Sequence, residues 1–424
     1  MQPLTDKLDA EQNWAGNHTY TAARLVRAGS VEQAQQVVAE SNRVRALGTR
    51  HSFNALCDTE GTLLDLTGLA EPAVLDADQG TVRVAGGTTY AVLATYLEQQ
   101  GCALANMGSL PHISVAGAAA TGTHGSGTGN QVLGAAVSRL ELITHDGSLR
   151  VLSRGDEGFA GAVVSLGAIG VVTHLHLDVR PTFQLTQDVY DHLSWTEVVV
   201  DLDAILSSAY SVSVFTLWRD DATTEVLVKS QPPLTLDWAG GKPAVQAEAP
   251  FALLGDDVHL TTRGVAGPWL DRLPHFRAEG IPSWGEEIQT EWFVAREDAP
   301  AALRTLTPLM EQFSDLLKVT EIRAVRADDL WLSPAFGRET VAIHFTWVRQ
   351  PGPVLGAAQA IQAALSPYAP RPHWGKVFDT HAFRAAACYP HLPHFIDLIR
   401  SFDPTGTFRS PLVDTLLGLG GSRR

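Results

Sequence analysis

Cysteine is scarce in this chain of 424 residues: Cys57, Cys102 and Cys388 are too few and too scattered for a disulfide framework or a thiolate metal site. Positive charge is short as well. Thirty-one basic residues stand against 46 acidic ones, and the net charge of −15 opposes nucleic acid and anionic membrane surfaces. A neutral or weakly charged small substrate suits that balance better. Long hydrophobic runs are missing, since no window reaches the ~18 uninterrupted apolar residues of a spanning helix. The N-terminus MQPLTDKLDAEQNWAG lacks a basic segment followed by an apolar one, so a cytoplasmic location is the expectation. Familiar catalytic motifs are absent too. There is no HExxH, His391 and His394 flank a proline, and Gly240-Gly241-Lys242 runs into Pro243 where a Walker loop requires Ser or Thr.

What the chain does have is a globular composition, 45% apolar and 18% charged, and a length that predicts two domains. Its most unusual stretch is Ala105 to Asn130, ANMGSLPHISVAGAAATGTHGSGTGN, with six glycines and no Asp, Glu, Lys or Arg. Glycine permits close approach of backbone to a ligand, and successive exposed N–H groups make an anion-binding concavity. This reads as a cradle for a pyrophosphate. A flexible linker is the alternative, but linkers do not interleave Ile113, Val115 and Ala118-Ala119-Ala120 between their glycines. Gly125, Gly127 and Gly129 lack the third-glycine offset of a Rossmann fingerprint, and no apolar-faced helix follows them directly.

Periodicity places the elements around this cradle. Ser30 precedes helical spacing of Val31, Ala34, Val37 and Val38 over 30–42, and Val44 to Leu47 reads as a buried strand ending at Gly48. Residues 62–69 and 81–87 read as strands with DADQG turning into the second, and 88–100 as a helix stopped by Gly101. His145-Asp146-Gly147 is the turn of a hairpin. The segment 161–181 finishes in a strand where His174, His176 and Asp178 alternate with apolar neighbours; this predicts a solvated face, with a His174/His176 metal pair as the lesser alternative. Strand, strand, helix is an α+β rhythm. Texture changes at Pro181, where a domain boundary is expected, and 230–251 should be a surface excursion.

Two short strands carry chemistry. Glu321 and Arg323 share one face of TEIRAV, and His344 and Thr346 share one face of VAIHFTW, opposite Val341, Ile343, Phe345 and Trp347. For either strand alone an exposed sheet face is an equal alternative. Two such faces together with the lysine of HWGK (373–376) suggest a pocket that binds several hydroxyls.

HSFN (51–54), the cradle motifs NMGSLPHISVAG and TGTHGSG, the strand segments EIR and HFTW, and HWGK resemble the alditol-oxidising branch of the vanillyl-alcohol oxidase superfamily of FAD proteins. The resemblance runs from NWAGN (13–17) to the C-terminal region. It implies a two-domain α+β fold: a PCMH-type FAD-binding domain over 1–180, a substrate cap domain on an antiparallel sheet over 181–370, and a segment 371–424 that returns to the first domain and completes the site. It implies FAD bound covalently through His51, whose imidazole nitrogen attacks the 8α-methyl carbon of oxidised flavin. SLPHISVAG lacks the cysteine of doubly tethered relatives, so a single tether is expected.

Carried over residue by residue, the resemblance assigns FAD to Ala46, Leu47, Gly48, Thr49, Arg50, His51, Ser52, Ser109, Ser114, Gly117, Thr121, Gly122, Thr123, His124, Val172 and His373. It assigns substrate to Ser109, Glu321, Arg323, Thr346 and Lys376, and catalysis to Lys376, Arg323 and His344, the last as proton acceptor. The implied reaction takes a terminal primary alcohol to the aldose by hydride transfer to flavin N5, with O2 going to H2O2 and the protein a monomer. Two positions depart from the family pattern: Gly108, where alanine is expected and where the missing Cβ opens room for dioxygen, and Arg50, where glycine is expected. A sugar-lactone oxidoreductase of the same superfamily and a non-catalytic flavin-binding protein stand as alternatives.

Overall fold

The computed structural model describes residues 11–69, 71–218, 224–231, 260–280 and 286–419. The first layer is a small parallel sheet of β1 (Arg24–Arg27), β3 (Thr62–Asp65) and β2 (Val44–Leu47), in that order. The Ser30 hydroxyl accepts from the amide of Gln33 and starts helix α1 (Val31–Ala39), which buries Ala34, Val37 and Val38. The apolar periodicity of the sequence thus becomes the face that α1 lays on this sheet.

A five-stranded antiparallel sheet follows in the order β4 (Val74–Asp76), β5 (Thr81–Ala85), β9 (Val171–Asp178), β7 (Val137–Ile143) and β8 (Leu149–Ser153). Gly80 and Gly147, both with φ above +60°, make the turns of the β4–β5 and β7–β8 hairpins. Helix α2 (Tyr90–Gln99) is capped by Thr89 and stops at Gly101, which has φ +70°. Two-residue strands β6 (Cys102–Ala103) and β10 (Arg180–Pro181) pair at the edge of this region.

His174 corrects the sequence reading of β9. It is 0% exposed, and its ring lies between Glu71 (3.1 Å) and Glu141 (3.5 Å). Period-two alternation gave the right face, but Arg83, Glu71 and Glu141 cover that face with charge instead of leaving it to water. No metal-binding group of His, Cys, Asp and Glu occurs among the described residues.

Beyond Pro181 lies one eight-stranded antiparallel sheet. Its strands are β11 (Gln184–Leu193), β12 (Ser211–Thr216), β13 (Thr224–Ser230), β14 (Gly267–Pro268), β15 (Glu287–Ala295), β16 (Leu317–Val325), β17 (Thr340–Val348) and β18 (Arg371–Pro372), in the spatial order β14-β11-β13-β12-β16-β17-β15-β18. Ile322, Ala324, Val341, Ile343, Phe345 and Trp347 are buried on one side, where the helices Ala299–Met310 and Pro351–Leu365 pack against β15. Of the excursion expected over 230–251, residues 232–251 fall outside the described residues.

After β18 the chain goes back to the first layer. The amide of Val44 donates to the carbonyl of Thr407, and the buried Arg45 guanidinium donates to the carbonyls of Leu56, Gly167 and Phe408. Four carbonyl acceptors, Leu166 included, take hydrogen bonds from its two terminal nitrogens and lock β2 to the C-terminal segment, while Nε has no hydrogen-bond partner among the described residues.

Candidate active site

A cleft lies between the two large sheets, lined from both of them and by the glycine-rich cradle. Its walls bring together every site residue expected from the sequence except Gly122, which has φ +66° and faces Pro334. The cleft joins the loop after β2, the cradle, the polar face of the eight-stranded sheet and the HWGK loop.

The cradle is folded onto the β2 loop and onto itself, and three glycines stand at close approaches of chain to chain. A Cβ on Gly48 would lie 2.6 Å from the Ser114 hydroxyl, one on Gly117 2.8 Å from the same atom, and one on Gly125 2.2 Å from the Met107 carbonyl. Chain-to-chain approach, not ligand contact alone, therefore explains these positions. A short helix, α3 (Val115–Ala120), begins inside the cradle with Ser114 at its cap position. Sequence periodicity missed it because six residues of Val, Ala and Gly carry no polar face. Gly108 differs from its neighbours: its Cβ would meet nothing nearer than 3.7 Å, so packing does not require glycine there.

His51 sits at the junction. Its ring stacks on Trp14 (centroids 5.0 Å, 22°), Nδ1 meets the Thr49 hydroxyl at 3.0 Å, and Nε2 is buried with no partner. Burial, with His112 adding to it, lowers its pKa to about 4, so the ring is neutral and nucleophilic near pH 7. Arg50 beside it has φ +64°, the conformation a glycine adopts freely, and its guanidinium pairs with Glu11.

The polar face of the sheet is covered, not solvated, which removes the exposed-face alternative for β16 and β17. Glu321, His344 and Glu291 are register partners on β16, β17 and β15. Glu291 is 1% exposed and organises the cluster. Its carboxylate accepts from Lys376 Nζ (2.7 Å) and Arg323 Nη2 (2.8 Å), and lies 3.2 Å from His124 Nε2. Burial pushes that carboxyl's pKa up, but Lys376, His124 and Arg323 outweigh it and hold the group well below the usual range.

Lys376 Nζ also lies 2.6 Å from His344 Nδ1, and His344 Nε2 3.1 Å from the Thr346 hydroxyl. Burial and the neighbouring ammonium lower the His344 pKa well below its ordinary value, while burial lowers that of Lys376 against the pull of Glu291. Arg323 Nη1 reaches the Ser109 hydroxyl at 3.3 Å. The HWGK loop is held from both sides: the amide of His373 donates to Glu291 O (3.0 Å), and Asn54 of HSFN donates to the carbonyls of Trp374 and Lys376.

Sequence reasoning missed Glu291, His275 and Lys229. Glu287, Gln289 and Glu291 alternate on β15 and all line the cleft, while Ile288 and Thr290 between them do not, a period-two signal of the same kind as His344 and Thr346.

Residues 22–153 match the FAD binding domain family and 286–416 the D-arabinono-1,4-lactone oxidase family. The chain is 43% identical to the alditol oxidase of a Streptomyces species, over 96% of this chain and 99% of that one. It is 30% identical to L-gulono-1,4-lactone dehydrogenase of Mycobacterium tuberculosis, over 96% and 98%. Its fold is similar to that of cholesterol oxidase from B. sterolicum (TM-score 0.76, 14% identity, covering 98% of this chain and 100% of that one). It is also similar to Physcomitrella patens BBE-like 1 (TM-score 0.73, 12% identity, 96% and 94%).

Cradle, cleft and antiparallel sheet thus define an FAD-dependent oxidoreductase with a PCMH-type fold. The unpartnered Nε2 of His51 and the glycine-rich cradle lining the cleft fit that cofactor. Within this class the chain belongs to the alditol oxidase family.

Proposed function

We propose that this protein oxidises the terminal primary alcohol of alditols such as xylitol and sorbitol to the aldose, with O2 reduced to H2O2. The observation that carries the reading is the pair of buried cations, Lys376 and Arg323, converging on Glu291 on the wall of the cleft that also carries Glu321, Thr346 and the Ser109 hydroxyl. FAD, when bound, supplies the hydride acceptor and returns the electron pair to dioxygen. The cradle and the β2 loop would hold it, with His51 as the covalent tether and His373 near the ring. In domain terms, 1–180 binds FAD, 181–370 binds substrate and 371–424 closes the site.

The chain's own part is binding and proton management. Arg323 and Lys376 meet the reacting hydroxyl, where their charge favours the developing alkoxide. Lys376 takes the hydroxyl proton while passing one of its own to His344 Nδ1, 2.6 Å away. A neutral His344 is ready for that proton, and its tie to Thr346 orients the ring. Glu321, Ser109 and Thr346 hold the remaining hydroxyls, which selects polyols over simple alcohols. The reading is completed by action as a cytoplasmic monomer.

The lactone reading is the second one, supported by the match over 286–416, but the lactone dehydrogenase is the more distant relative at 30% against 43%. One experiment tests both. Acid precipitation should leave flavin colour in the pellet, and anaerobic xylitol should bleach the native protein, with peroxide appearing once air is admitted. A colourless pellet removes the His51 tether. A flavin bleached by an aldonolactone but not by xylitol selects the lactone reading, and one bleached by neither leaves a flavin-binding protein without this chemistry.

A further inference from the structure

Next to Glu321 lies a second buried ionic group, its His275 in the cleft wall, that the proposed reaction does not use. Lys229 on β13 is 1% exposed. Its Nζ lies 2.9 Å from His275 Nδ1, donates to the Leu273 carbonyl and lies 3.4 Å from the Pro274 carbonyl. His275 Nε2 lies 2.8 Å from Glu321 Oε1. The Phe215 ring stands edge-on to the imidazole, with centroids 5.8 Å apart. An ammonium has donors only, so His275 Nδ1 must be the acceptor, and the single proton of the neutral ring is forced onto Nε2, facing Glu321. The carboxylate therefore receives one fixed donor on Oε1, with Arg323 Nε at 3.5 Å adding charge on the same oxygen.

The same cation ties down the segment that carries His275. The amides of His275 and Phe276 both donate to the carbonyl of Ser109, at 3.1 and 3.2 Å. Thr261 and Gln187 brace the segment from behind through the Pro274 carbonyl and through each other. Burying a lysine costs free energy unless its donors are matched. Here they are matched only by groups that lead to Glu321 and Ser109, two residues assigned above to substrate hydroxyls.

We infer that Lys229 and His275 are positioning residues for substrate specificity: they fix the histidine tautomer so that Glu321 stays ionised and oriented as an acceptor for the far hydroxyls of a long neutral polyol. An ionised acceptor of this kind rewards O–H donors and repels carboxylate-bearing sugars. Short diols, which present no far hydroxyl, gain nothing from it. This inference rests on the alditol reading above.

The test compares xylitol with ethylene glycol in flavin-loaded protein, following peroxide. His275→Leu should raise KM for xylitol about tenfold, the size of one lost charge-assisted hydrogen bond, and leave kcat/KM for ethylene glycol within about twofold. His275→Gln keeps a carbonyl for Lys229 and an N–H for Glu321, and should restore most of the xylitol KM. In wild-type protein the nitrogen chemical shifts of His275 should report the Nε2–H tautomer, and Lys229→Met should scramble it. Equal losses on both substrates, an unchanged xylitol KM, or failure of Gln to rescue would overturn the inference while the alditol reading stands. Wild-type protein that forms no peroxide from xylitol would overturn both.

Discussion

Glu291 has no solvent to help it hold its charge, and three basic side chains share the task. Removing one partner of such a buried set leaves the others uncompensated, so Glu291→Gln should lower unfolding free energy by about 3–5 kcal/mol, read from denaturant midpoints. A midpoint that does not move would show that the cations re-pair elsewhere. Lys376→Met bears on chemistry as well as on this buried set. It should keep the yellow flavin but lower kcat/KM for xylitol by roughly 10²–10³-fold, as removal of one charge-stabilising donor does; unchanged turnover rejects its role at the reacting hydroxyl. Gly108→Ala separates packing from gas access. Its methyl would sit 3.7 Å or more from every neighbour, so stability should stay within about 0.5 kcal/mol. Stopped-flow reoxidation should slow if that space admits dioxygen, and an unaltered rate places the oxygen route elsewhere.

At the scale of elements, the cradle depends on two glycines confronting one serine. Gly48→Ala would drive its methyl to 2.6 Å from the Ser114 hydroxyl, but to 3.8 Å from the Ser114 Cβ. Flavin content of the purified protein should therefore fall in Gly48→Ala and recover in Gly48→Ala with Ser114→Ala; a double variant no better than the single one would show that Gly48 meets the cofactor and not the serine. Local pattern made much of this architecture readable. Ser30 announced α1, Gly48 ended β2, and period two separated Glu321, Arg323, His344 and Thr346 from the apolar faces of their strands. Glycine density marked the cradle, although the pattern could not tell chain contact from ligand contact. What stayed hidden depends on pairing across long separations. Glu291 gains its meaning only when β15 lies beside β17, and His275 only when Lys229, 46 residues earlier, points at it from β13. His174 misled for the same reason, since its carboxylate neighbours come from β7 and from the residue Glu71.

For the molecule as a whole, the buried site makes folding sensitive to acid in a defined order. His275 is held neutral by burial and by Lys229, its pKa lowered to about 4, and burial likewise lowers those of His124, His344 and His373. Unfolded, each would bind a proton as the pH falls below about 6.5, so between that value and the folded pKa the unfolded chain binds more protons, and stability falls with falling pH. His275 alone accounts for about 2 kcal/mol at pH 5. Glu321 and Glu291 have depressed pKa values, so the stability they confer is complete above about pH 4.3 and is lost only below it. Lys229, lowered by burial to about 7, acts in the alkaline direction: from pH 7 up to its ordinary range the unfolded chain holds the extra proton, and stability rises. The melting temperature should therefore peak on the alkaline side of neutrality and drop between pH 6.5 and 5, before Glu321 or Glu291 titrates. His275→Gln, which keeps both hydrogen bonds but cannot take the proton, should flatten that drop by about 2 kcal/mol at pH 5; a variant whose melting curve tracks wild type across this interval would mean that His275 is already protonated in the fold.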